Sequence, residues 1–199
     1  MSKSLTSEDI LFRQRFLSCC GFYTDTLDGL WGPNTDAAEK AFAAKSAAIA
    51  IANPTFDARS ERCILSLQCN AQQAARISLK AIRATGLDAR IISGTRTYPE
   101  QRALYLQGRF GNPGPIVTRA NAGQSWHNFG LAWDIGIFVG GNYLDDGPKY
   151  RTAGGAGKVG GVTWGGDWAG GFKDLPHYEL IPAGQSVADA RAVYEAGGR

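Results

Sequence analysis

The chain has 199 residues and a mass of 21.3 kDa, enough for one ordinary domain and a small additional module. Its composition, 44% hydrophobic and 11% aromatic, predicts a globular protein, and no apolar run is long enough to suggest insertion in a bilayer. A formal net charge of +3, with both signs interspersed, suits an anionic polymer, while no basic run alternates with aromatics as a nucleic-acid groove would require.

Residues Met1 to Ile10 lack the apolar centre of an export signal and carry Glu8 and Asp9, which predicts a protein made in a cytoplasm and released later. Ser7 is placed to cap a first helix, in which Phe12 and Phe16 lie one turn apart and Ile10 and Leu17 two turns apart. A turn-rich stretch, 21–33, follows. A second, alanine-rich helix then starts near Thr35 or Asp36 and sets Phe42 and Ile49 on one face. It ends at Asn53-Pro54, because the residue before proline resists the helical region. Residues 1–53 read as a compact helical unit, too small to be very stable unless it docks, and residues 54–199 as a second domain.

Beyond Pro54, Asn70 can cap a helix that carries Ala75, Leu79 and Ile82 and is stopped by Gly86. Residues 89–93 read as a short strand. Thr97 to Glu100 form a capping box for a helix reaching about Gln107, and 108–124 is loop. Leu131 to Phe138 alternate as a strand, 177–181 as another, with a short helix near Tyr150 and a closing helix over 186–196. Helices and strands do not alternate regularly, so the fold class is α+β. Cys19, Cys20, Cys63 and Cys69 match no zinc-finger spacing and read as buried free thiols. A monomer is expected.

The chain's two histidines, His127 and His177, each lie beside carboxylates: Asp134 follows the first, and Asp174 and Glu179 flank the second. Two imidazoles and a carboxylate make a three-ligand zinc site with a fourth position left for water. His127 and Asp134 are seven residues apart, roughly 23 Å on a straight strand. A helix would separate them by roughly 10 Å. Neither lets both touch one ion, so the chain must double back at Asn128-Phe129-Gly130. Asp134 then shares a strand face with Ala132 and Gly136, while Leu131, Trp133, Ile135 and Ile137 point into the core. Asp174 is placed to move a proton without ligating the ion. Glu179 competes for that role, or supports His177 from behind.

At these residues the chain resembles the zinc D-Ala-D-Ala carboxypeptidase/L-Ala-D-Glu endopeptidase family, which shares its fold with the hedgehog signalling domain. The signature Ser-x-His-x-x-Gly-x-Ala-x-Asp runs without a gap from Ser125 to Asp134, and acid-x-x-His appears as Asp174 to His177. The strings 93–101 and 164–168 are similar to the phage endolysin branch, and the resemblance covers about residues 54 to 182. It implies a small antiparallel sheet with flanking helices and one zinc ion on His127, Asp134 and His177. It implies Asp174 as general base, Arg96 on the substrate carboxylate or scissile carbonyl, and Ser125 as a substrate or supporting hydrogen-bond partner. The alternative for Arg96 is a surface ion pair, and Trp164 and Trp168 either wall the groove or pack.

The implied activity is hydrolysis of the L-alanyl-D-glutamate bond of peptidoglycan during host lysis. Cleavage of D-alanyl-D-alanine and a non-catalytic wall-binding role with a structural metal are the alternatives. A muramidase is disfavoured because no glutamate pair suggests sugar hydrolysis. The string from Leu27 to Phe42 is similar to a three-helix peptidoglycan-binding module.

Overall fold

The computed structural model describes residues 5–145 and 147–198. Residues 1–4, part of the stretch read for an export signal, lie outside them. Helix α1, Ser7–Cys19, is opened by Thr6 rather than Ser7. The Thr6 hydroxyl accepts from the Asp9 N–H while the Asp9 carboxylate accepts from the Thr6 N–H, so each side chain satisfies a backbone donor the helix leaves free. Helix α2, Pro33–Ala52, begins two to three residues before the expected start, because Pro33 sits in the first turn where its missing N–H removes no helical bond.

Residues 5–53 hold two helices, which corrects the expected three-helix module. The third helix, α3 at Ala58–Leu65, was absent from the sequence expectation and packs along the first strand of the following segment. Asp57 caps it by accepting from the Ser60 N–H at 3.0 Å. Helix α4, Cys69–Arg83, starts one residue before Asn70 and ends short of Gly86. Then come β1 (Asp88–Ser93), α5 (Tyr98–Leu106), β2 (Ala132–Val139), β3 (Asn142–Leu144), α6 (Pro148–Gly157), β4 (Thr163–Trp164), β5 (His177–Glu179) and α7 (Val187–Glu195). Thr97 and Glu100 form the anticipated capping box on α5.

All strand pairs are antiparallel, in the order β1-β2-β5-β4 with β3 also on β2, so the α+β class is observed. Trp133, Ile135 and Ile137 of β2 are fully buried with Ile91, Tyr178 and, from α4, Leu79 and Ile82. Phe16, Leu17 and Phe42 belong to this same continuous core, with α1 packed on α7 and α2 on α4. The small N-terminal segment therefore docks, as its size requires. Arg76, fully buried on α4, holds Glu61 of α3 through two bonds of 2.8 and 2.6 Å and donates to the Pro54 carbonyl at 3.0 Å, tying the junction between the segments to both helices. Among the described residues no helix is long and apolar enough to cross a membrane.

Candidate metal centre

Strand pairing brings two of the three candidate ligands together. Asp134 of β2 stands directly opposite His177 of β5, and directly opposed residues carry their side chains on one face about 5 Å apart. On its other side Asp134 pairs with Ser93, after an irregularity between Ile91 and Ser93 that bends the end of β1. His127 arrives from a 3-10 turn, Trp126–Phe129, which Ser125 opens by accepting from the His127 N–H at 3.4 Å. Gly130 reverses the chain with φ 69° and ψ 26°, a left-handed conformation that disfavours other residues. It also has no room: a Cβ there would lie 2.6 Å from the Phe16 ring of α1.

The three donors form a near-equilateral triangle. His127 Nε2 lies 3.2 Å from His177 Nδ1 and 3.2 Å from Asp134 Oδ1, and His177 Nδ1 lies 3.1 Å from that oxygen. Tetrahedral zinc with bonds of about 2.0–2.1 Å spaces its donors by about 3.3 Å, so this set fits that ion. The ring orientations fit as well. His127 Nδ1 donates to the Gly94 carbonyl at 2.7 Å, which leaves the Nε2 lone pair facing the triangle. His177 Nε2 donates to Glu179 Oε2 at 2.9 Å, which leaves Nδ1 facing it. Gly94 must be glycine for this contact, since a Cβ would fall 2.4 Å from the Cys63 carbonyl oxygen. Among the described residues, His127, Asp134 and His177 are the group able to hold a metal ion.

Burial governs the electrostatics and opposes charge. It pushes His127 below the ordinary histidine range against the pull of Asp134. For His177 burial is outweighed by Asp134 and Glu179, which raise it to about 9. The Asp134 carboxyl is held well below the usual range because the two histidines and Arg96 outweigh its desolvation. At His177 and Asp134 the charged neighbours outweigh burial, whereas at His127 burial prevails.

Arg96 does not sit at an isolated loop tip. Its guanidinium pairs with Asp134 Oδ2 and lies 3.2 Å from His127 Nε2, while Nη1 donates to the buried Gln101 at 3.2 Å. Asp174 lines the same cavity of about 550 Å³ as the triad, with Ser125, Trp168 and Phe172. Burial, then the Asp134 charge, pushes its carboxyl above the ordinary range. Glu179 is committed behind His177, also accepting from the Trp168 indole N–H at 3.1 Å. The two tryptophans divide: Trp168 walls the cavity, whereas Trp164 is buried, packs against Gly154 and donates to the Leu175 carbonyl at 2.7 Å. Gly94 and the fully buried Gln101 both lie in the string 93–101, which assigns neither of them a role at the metal.

Comparison with known proteins gives the family. A family profile described as D-alanyl-D-alanine carboxypeptidase matches residues 118–180, and a second of the same description matches 65–146. The peptidoglycan L-alanyl-D-glutamate endopeptidase CwlK of Bacillus subtilis is 40% identical over 119 residues, spanning 53% of this chain and 68% of that protein. The crystal structure of Serratia marcescens L-Ala D-Glu endopeptidase ChiX is similar at a TM-score of 0.48 and 23% identity, covering 66% of this chain and 93% of that one. At the identity and coverage of the Bacillus relative, this chain belongs to the D-alanyl-D-alanine carboxypeptidase-like family of peptidases in which that endopeptidase stands.

Proposed function

We propose that the chain is a zinc endopeptidase that cuts the L-alanyl-D-glutamate bond of peptidoglycan stem peptides. The observation that carries this reading is the donor triangle of His127, Asp134 and His177, oriented from behind by Gly94 and Glu179 and open to the cavity that Asp174 lines. The choice of bond is supported by the Bacillus relative. Work on peptidoglycan during phage-driven host lysis, after synthesis in the host cytoplasm, belongs to the same proposal and is supported by the motif strings at 93–101 and 164–168.

Zinc held here would supply Lewis acidity and make water acidic enough to ionise near neutral pH. Asp174 takes a proton from the attacking water and returns it to the departing amine. Its raised affinity for a proton suits a group that must first accept and then donate. Arg96 offers its guanidinium edge to the oxygen where negative charge develops. Ser125 keeps the turn bearing His127 in place.

Mass spectrometry of purified muropeptides incubated with the protein, with and without a chelator, tests the proposal. The expected products are glycan ending in L-alanine and peptide beginning at D-glutamate, both lost on chelation. Release of terminal D-alanine alone would make the enzyme a carboxypeptidase, and no cleavage by zinc-replete protein would leave a wall-binding role. Asp174→Asn should abolish cleavage while retaining zinc. His127→Ala and His177→Ala should lose both.

A further inference from the structure

We infer that Arg119 is a specificity residue that binds a carboxylate on the leaving side of the substrate, at the outer end of the metal groove; this rests on the endopeptidase reading above. Arg119 lines the same cavity as the donor triangle. A run of aromatic contacts connects the two. The Trp168 ring is 4.9 Å from His177, Phe172 stacks on Trp168 at 6.0 Å, and the Arg119 guanidinium lies 4.6 Å over Phe172. Trp168 is fixed in turn by its bond to Glu179, so the run starts from a locked end.

The segment carrying Arg119 is pinned as well. Buried Gln101 donates through Nε2 to the Ala120 carbonyl at 2.8 Å while its Oε1 accepts from Arg96. One amide therefore sets the arginine at the metal and the backbone beside the arginine at the groove's far end. Two arginines line this cavity, and of these Arg96 holds Asp134 while Arg119 makes no ion pair among the described residues. A guanidinium stacked on a ring keeps its N–H donors in its own plane, free for a planar anion.

The substrate determines which anion. On the acyl side, the L-alanine joins the glycan and brings no carboxylate of its own. On the leaving side, D-glutamate carries one beside the scissile nitrogen, within range of a group at the metal such as Arg96. The peptide beyond it carries others. An extended chain spans about 3.5 Å per residue, so a carboxylate three residues from the cut lies roughly 10 Å away, inside the upper bound of about 16 Å that the successive aromatic contacts set on the distance from His177 to Arg119.

The test uses the zinc-loaded full chain and a soluble muropeptide whose terminal carboxylate is either free or converted to the carboxamide. Arg119→Ala should raise KM about tenfold on the free acid, leave kcat within about twofold, and change little on the carboxamide. Arg119→Lys should fall between. Unchanged KM on the free acid, or an equal rise on both substrates, would overturn the role of Arg119 while cleavage by the parent protein kept the endopeptidase reading intact. Failure of the parent protein to cut either substrate would remove that reading and the subsite with it.

Discussion

The Tyr194 hydroxyl donates to the Phe12 carbonyl at 2.9 Å, joining the last helix to the first across 182 residues of sequence. Phe12 and Tyr194 also pack ring to ring at 5.7 Å, and Phe129, in the turn that carries His127, lies 5.5 Å from Tyr194. The first helix, the last helix and the metal turn thus share one aromatic cluster. Phe16→Ala, which empties a side chain only 1% exposed, is expected to cost about 3–5 kcal/mol. Thermal melts should fall by roughly 6–20 °C. An unchanged melting temperature would mean that α1 folds and unfolds independently of the remaining chain.

Glu179 supplies the acceptor that turns His177 Nδ1 toward the triangle. Removing such a partner weakens a metal site by roughly 10–100-fold. Glu179→Ala should therefore loosen zinc by that factor in competition with a chromogenic chelator. Zinc affinity equal to the parent's would show that strand pairing alone orients the ring.

The Arg76 and Glu61 pair does not line the cavity and is structural. Arg76 is fully buried, and breaking such a pair leaves an uncompensated charge costing about 3–5 kcal/mol. Arg76→Ala and Glu61→Gln should both lower the denaturation midpoint, with zinc content per folded molecule unchanged. Loss of zinc from the folded variants would connect this pair to the metal centre instead.

The thiols should be slow to react. Burial raises Cys19 to about 11 and Cys20 further still, and Cys63 and Cys69 move the same way. At pH 8 about 0.1% of Cys19 would be thiolate, and the thiolate is the nucleophile. A chromogenic disulfide reagent should label native protein slowly, with the Cys19 rate rising about tenfold per pH unit below 11, and label all four cysteines quickly in denaturant. All four side chains are only partly buried, short of the burial the sequence suggests, and rapid labelling of Cys19 at pH 7 would show that this partial burial does not raise its thiol.

Much of the metal centre was legible because its constraints are local. The seven-residue spacing of His127 and Asp134 demands a reversal, and Gly130 is the residue able to make it. The alternation of Leu131 to Phe138 placed Asp134 opposite the core face, as observed. Other features depend on neighbours remote in sequence. The sequence cannot show that Gln101 reaches both Arg96 and Ala120, or that Gly94 presents its carbonyl to His127, because those contacts arise only when α5 and β1 meet the metal turn. Helix α3 leaves no periodic signal in the sequence because only Ser60 and Ile64 of its eight residues are buried, too few to set a helical period. Arg96 both lines the groove and makes an ion pair, the two roles the sequence offers it, but the identity of its partner Asp134 depends on how the end of β1 meets β2.

The close fit of Phe16 against Gly130 makes the first helix one wall of the turn that carries His127. A protease cutting within α1 would withdraw one wall from the turn that presents His127, without touching any ligand.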